Sequence, residues 1–169
     1  GTEGIKQALL AGIHSIEHGI YLDDEVIELM LKKGTFLVPT LLAPVSIIEN
    51  PELEKILLEV VIQKARQVAA IHKESIAKAY QAGVKIAMGT DAGVMPHGMN
   101  LRELGLLCDI GMTPMEALLA TTKVAAECLE WQEKIGTLEP GKLGDVVVVK
   151  GDPLKNIRLV EDQTNIQVV

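Results

Sequence analysis

The chain has 169 residues, 48% of them hydrophobic, with 16 lysines and arginines against 23 aspartates and glutamates for a net charge of −7. That is the composition of a globular protein, and an acidic chain without a basic cluster interleaved with aromatics excludes nucleic acid and anionic membrane as partners. No apolar run approaches the roughly 20 residues needed to span a bilayer, and no basic segment precedes an apolar one at the start, which points to a cytoplasmic protein.

In chain order, residues 4–10 have helical spacing (Ile5, Ala8, Leu9) and meet a stop at Gly12, followed by a short strand over 13–17. Asp23 or Asp24 caps a second helix over 25–33, with Val26, Ile27, Met30 and Leu31 on one face and Gly34 as its stop. A strand over 35–39 leads into a loop through Pro44 and Pro51, and a long helical pattern over 53–81 ends at Gly83 and passes into a third strand over 84–88. Three passages from helix through glycine to apolar strand predict repeating α/β units around a buried parallel sheet.

Helices follow over 100–109 and 114–130, the latter capped by Thr113 with Pro114 at its first position and Glu116 at its third. Past Trp131 the chain turns rich in glycine and proline, and the apolar run after Asp145 reads as a strand of a small β element. Cys108 and Cys128 sit in separate helical segments without CxxC spacing, which predicts reduced core thiols.

Chemistry-bearing side chains fall just after the three strands: His18, Thr40, and Asp91 behind Thr90. In parallel α/β folds the C-terminal strand ends converge on the site, so these residues share one mouth. An imidazole and a carboxylate delivered together suit a divalent metal of the zinc type. A catalytic zinc needs at least three protein ligands and an open position, so His18 and Asp91 leave the set short.

Five segments carry a resemblance in order and spacing: Gly1-Thr-Glu-Gly-Ile, Ser15-Ile-Glu-His-Gly, Val84-Lys-Ile-Ala-Met-Gly-Thr-Asp-Ala-Gly, Met112-Thr-Pro-Met-Glu-Ala-Leu and Ile135-Gly-Thr-Leu-Glu-Pro-Gly-Lys-Leu-Gly-Asp. The chain resembles the C-terminal half of amidohydrolase-superfamily enzymes, in the Xaa-Pro dipeptidase (prolidase) and imidazolonepropionase-like branch. The resemblance implies an α/β fold made of strands six to eight of a TIM (β/α)8 barrel over residues 1–134, with residues 135–169 returning to a small composite β-sandwich. It also implies His18 as the metal ligand after strand six. Asp91, after strand eight, would touch one metal and take the proton from the attacking water. The family's other ligands, a His-x-His pair, a carboxylated lysine and a strand-five histidine, would lie upstream of Gly1. One or two divalent ions, a small-molecule or dipeptide substrate and a missing N-terminal half of the barrel are implied with them.

Among the remaining polar residues, His97 lies in a loop that resembles a substrate-contacting one, and Tyr21 could offer its hydroxyl to a substrate carboxylate. Exposed loop packing is the plain alternative for both. His14, at the start of its strand, and His72, beside Lys73 and Glu74, read as structural and solvated respectively. Glu17 points away from the His18 side or makes an internal hydrogen bond. Met88, Met95 and Met99 read as apolar lining. The leading expectation is a fragment of a metal-dependent hydrolase of C–N bonds, inactive alone, whose uncovered strand edges favour self-association into a homo-oligomer. The rival is a complete, non-catalytic α/β binding or interaction domain.

Overall fold

The computed structural model describes residues 1–50 and 59–169, so the expected helix start at Leu53 lies outside the described residues. Helix α1 (Thr2–Leu10) leads to strand β1 (Ser15–Glu17), α2 (Asp24–Lys33) to β2 (Phe36–Val38), and α3 (Leu42–Glu49) precedes the long α4 (Glu59–Gln81). Strands β1 and β2 pair in parallel, Ile16 opposite Leu37, and Leu37 forms a further parallel bridge to Ile86. The third strand is therefore a single bridge, extended by Leu37 N–H to the Lys85 carbonyl (2.9 Å) and Ala87 N–H to the Leu37 carbonyl (3.0 Å). Ile16, Leu37 and Ile86 form a row across the three, all buried.

That row packs on the helices. Leu9, Val26, Ile27, Met30, Ile76, Ala79, Leu104 and Leu107 join it in one core. Helix α2 is specified at both ends: the Asp23 carboxylate accepts the Val26 N–H (2.8 Å), and Gly34 closes the helix at φ 68. Leu31, expected on the buried face, is 43% exposed, because the apolar stripe runs through Val26, Ile27 and Met30 and leaves position 31 on its margin. The loop expected at Pro44 is helix α3, where proline falls in the first turn and loses no intrahelical bond.

Beyond the third strand come α5 (Arg102–Asp109), α6 (Pro114–Thr121) and α7 (Lys123–Cys128). Thr113 and Glu116 form the expected capping box. The single helix expected over 114–130 breaks at Thr122 (φ −116, ψ −83), whose hydroxyl turns back onto the Leu118 carbonyl (2.8 Å). Strands β3 (Val148–Val149) and β4 (Ile166–Val168) pair antiparallel with a bulge, which extends the expected β element to the end of the chain. Between them a 3-10 turn (Ile157–Glu161) packs on α5, Ile157 and Val160 entering the main core. Arg158 reinforces the contact with two bonds of 2.8 Å to the Asp109 carboxylate. Cys108 and Cys128 are free and half-buried. Among the described residues no helix is long and apolar enough to cross a membrane.

Candidate metal centre

The order of the sheet, with β2 between β1 and the Ile86 strand, sets three chain segments side by side where they leave it. His18 directly follows β1, Thr40 follows β2 by two residues, and Asp91 lies beyond Ile86. Their backbones share an unusual feature. Among the described residues only four that are not glycine have positive φ, and three are His18 (66°), Thr40 (52°) and Asp91 (56°); Glu130 is the other. For a β-branched threonine this conformation is a genuine outlier. Such strain, about 1–3 kcal/mol per residue, persists only where surrounding contacts over-determine it, and it gathers at functional sites.

The over-determining contacts are buried and polar. The His18 N–H donates to the Val38 carbonyl (2.8 Å), and the His18 carbonyl is 2.6 Å from Nε2 of His72. A carbonyl only accepts, so Nε2 of His72 carries the ring proton. Burial holds the His72 pKa below its ordinary value despite the His18 and Pro39 carbonyls beside it, and among the described residues its Nδ1 has no hydrogen bond. His72 is 1% exposed, which overturns its reading as a solvated residue: the helical face it shares is Ser75, Ile76 and Ala79, all buried. Three residues on, the Ser75 hydroxyl donates to the Gly19 carbonyl (2.9 Å) and accepts the Leu22 N–H (3.0 Å). One face of α4 thus clamps the turn that presents His18.

Thr40 is tied in from two directions. Its Oγ1 lies 2.7 Å from Nδ1 of His18. The next two backbone N–H groups, of Leu41 and Leu42, donate to the two carboxylate oxygens of Glu103 at 2.8 and 2.7 Å. Glu103 is fully buried, and burial pushes its carboxyl up to about 7 although both N–H donors favour the charged form. On the third strand, Gly89 allows close approach: a Cβ there would lie 2.5 Å from Cγ1 of Val38. Behind Asp91, Asn100 donates to the Thr90 hydroxyl (3.2 Å).

The other candidates sit farther out. His97 is exposed in a loop held at Gly98, whose carbonyl accepts from Gln163 (2.8 Å) and whose N–H donates to Asn100 (3.2 Å). Tyr21 is 45% exposed in the loop after His18, and its carbonyl accepts from Thr2 (3.1 Å). Glu17 accepts from the Ser15 hydroxyl (2.6 Å), the second of the two uses considered for it. His14 donates to the Cys128 carbonyl (3.0 Å), a structural use. Met95 is buried against Leu42 and Ala43, with Met99 beside it, and Met88 packs on the main core, so the methionines line as expected.

Nδ1 of His18 is engaged by a hydroxyl, while Nε2 has no hydrogen bond among the described residues. That is the arrangement of a metal-ligating histidine, whose second nitrogen is oriented by an outer partner. Neither carboxylate oxygen of Asp91 is hydrogen-bonded among the described residues, so both remain available. The donor types fit a divalent cation. Among the described residues no group of three or more potential ligands lies together, so the pair falls short of the three protein ligands of a catalytic zinc.

A parallel α/β sheet with its polar, strained residues gathered at the C-terminal strand ends defines a class of enzyme scaffold. Within that class the affiliation is direct: the amidohydrolase family model matches residues 1–169, and the chain belongs to that family. Members of this family are generally metal-dependent. The chain is 34% identical over 165 residues to ochratoxinase of Aspergillus niger, covering 96% of this chain and 33% of that protein. It is 33% identical over 140 residues to imidazolonepropionase of Aeromonas hydrophila, covering 81% of this chain and 29% of that one. Among solved structures, a Xaa-Pro dipeptidase with methionine bound in its active site superposes with a TM-score of 0.88 at 41% identity, covering 96% of this chain and 40% of that one. The A. niger ochratoxinase structure gives 0.83 at 34% identity, covering 98% and 37%. The chain thus spans about a third of the curated relatives and about two fifths of the solved chains.

Sequence reasoning missed His72, Ser75 and Glu103 as supports of the site. A signal was present. His72, Ser75, Ile76 and Ala79 follow helical spacing, and Glu103 sits in the stripe with Leu104 and Leu107, so each polar residue interrupts a buried face.

Proposed function

We propose that this chain supplies strands six to eight of the barrel, and with residues 135–169 part of the composite β-sandwich, of a metal-dependent hydrolase that cleaves C–N bonds in a prolidase-like manner. The observation that carries the reading is the set of strand-end residues: His18 with Nδ1 held by Thr40 and, among the described residues, Nε2 and the Asp91 carboxylate without a hydrogen bond, all following strands of one parallel sheet. His18 and Asp91 would be two of the metal's ligands. A divalent metal, when bound, polarises the scissile carbonyl and lowers the pKa of water to about 7 in the case of zinc. Asp91 accepts the proton of the attacking water and returns it to the departing amine. With Nε2 given to the metal, His18 would carry its proton on Nδ1 and donate it to the Thr40 hydroxyl, which orients the ring. His97 would contact the substrate and Tyr21 would offer its hydroxyl to a substrate carboxylate, with dipeptides the first class to test, since the Xaa-Pro dipeptidase structure shares 41% identity.

The remaining ligands would come from chain outside these 169 residues, so the chain alone should neither retain a catalytic metal nor turn over substrate. The test is made in the longest product of the gene. In it, Asp91→Asn should lower the turnover of Xaa-Pro dipeptides by at least about 100-fold, the scale of a lost general base. His18→Ala should lower the bound metal measured by atomic absorption. Full metal content and turnover in both variants would overturn the assignment. Hydrolysis by the 169-residue chain alone would show that outside ligands are not needed.

A further inference from the structure

Glu103 stands out because the site does not use it directly, yet it is 0% exposed and no Lys or Arg pairs with it among the described residues. A buried carboxylate without a cation is costly unless hydrogen bonds satisfy it. Here each oxygen accepts one N–H, from Leu41 and from Leu42. These are the groups that enter α3, whose N-cap position is Leu41, a residue with no side-chain acceptor to offer. An ordinary cap would be a local Ser or Asp. In this chain the cap comes from α5, more than sixty residues on.

The distance has a consequence. A cap within the turn would fix only the helix start, whereas a cap from α5 ties the turn to a helix more than sixty residues on. The bonds fall on the two residues directly after Thr40, the residue whose φ of 52° is hardest to maintain. With Thr40 in that conformation its Oγ1 reaches Nδ1 of His18 at 2.7 Å.

We propose that Glu103 is a positioning residue for the strand-end site: by holding the Leu41 and Leu42 N–H groups it keeps Thr40 left-handed, and Thr40 fixes His18 in the tautomer protonated on Nδ1. The mechanical link stands on the contacts above. A hydroxyl can donate or accept, so the direction of the His18–Thr40 bond, with Nδ1 donating, rests on the reading of His18 as a ligand through Nε2, which the metal-content measurement tests separately. The present test is made without metal.

The 15N-labelled full chain is examined by long-range proton–nitrogen correlation of its histidine rings at pH 8. His18 should show the Nδ1-protonated pattern. Thr40→Val and Glu103→Ala should both move it toward the Nε2-protonated form usual for free imidazole. Glu103→Gln, which keeps one acceptor oxygen, should fall between. Leu104→Ala, a truncation on the same helix that leaves the Glu103 contacts intact, should keep the wild-type pattern. If Glu103→Ala does not fold, Glu103→Gln decides the matter through amide exchange: exchange at Leu41 or Leu42 should quicken at least tenfold together with the His18 change. The proposal is overturned by quickened exchange with an unchanged His18 ring, by a folded Glu103→Ala with the wild-type pattern, or by an equal shift in Leu104→Ala.

Discussion

The two rims of the parallel sheet need the same backbone conformation and obtain it by different means. Where chain enters the strands from the helices, the left-handed residues are Gly12 (φ 88°), Gly34 (68°) and Gly83 (94°). Where chain leaves them, the left-handed residues include His18, Thr40 and Asp91. Glycine takes this conformation without a Cβ penalty, so the entry rim is a set of turns and nothing more. At the exit rim a side chain is required at the same point as the turn, and glycine would remove it. The strain is accepted there and offset by anchors from below, namely His72, Ser75 and Glu103. Turning the chain and presenting a functional group are separate demands, and only one rim meets both.

The largest effect expected from disturbing this contrast is functional. Thr40→Val keeps the volume and branching but removes the hydroxyl bonded to His18, and with His18 as the proposed ligand the loss of such an outer partner should lower metal affinity by about 10–100-fold. Chelator competition on the metal-loaded whole protein measures it, and unchanged affinity would dissolve the distinction between the rims. Next in size is Gly34→Ala at the entry rim. Forcing a Cβ into the left-handed region costs about 1–2 kcal/mol, read as a fall in the urea midpoint. Thr40→Gly should behave oppositely, staying within about 1 kcal/mol of wild type because relief of strain offsets added chain entropy, while still losing the His18 contact.

A smaller effect is a change of slope with pH. Glu103 has its carboxyl raised from 4.5 in the unfolded chain to about 7 in the fold. Its folded-state proton stabilises the native chain fully below about pH 4.5, and that contribution is lost as pH rises through about 7. His72 works in the opposite sense. Its pKa is lowered from 6.5, so its contribution is present above that value and lost as pH falls toward its folded pKa. The variant comparison isolates Glu103: between pH 5 and pH 8 the stability of wild type should fall relative to Glu103→Gln, as followed by urea unfolding at each pH. Parallel curves would mean that Glu103 does not titrate in this range.

Much of this was legible in the sequence, for reasons that are local. The helix–glycine–strand passages at Gly12, Gly34 and Gly83 depend on backbone chemistry within a few residues, as do the Asp23 cap and the Thr113–Glu116 capping box. His18 and Asp91 stood out because both follow apolar strands inside motifs that resemble the family. What escaped notice depends on contacts between distant segments. Helical spacing marks His72 and Glu103 as facing the core, but His72 meets His18 across 54 positions and Glu103 meets Leu41 across 62, and no local pattern identifies such partners. Thr122 could not be seen as a break because its hydroxyl competes for a carbonyl one turn back, a choice that tertiary packing decides. Pro44 misled for a related reason: proline argues against a helix interior but is at home in a first turn, and the start of α3 is set by Glu103 rather than by any residue nearby.

The bond from Gln163 to the Gly98 carbonyl links the last turn of the chain to the loop that carries His97. A Cβ at Gly98 would fall 2.3 Å from the Gln163 amide nitrogen, so the two segments are fitted to each other at contact distance. The tail is therefore a brace for a distant loop, and a chain trimmed just before Gln163 would keep every strand of the parallel sheet yet release the His97 loop from the Gln163 bond at Gly98, leaving the one to Asn100. Tolerance to shortening at the C-terminus would then be set by what the loop must grip rather than by the integrity of the core.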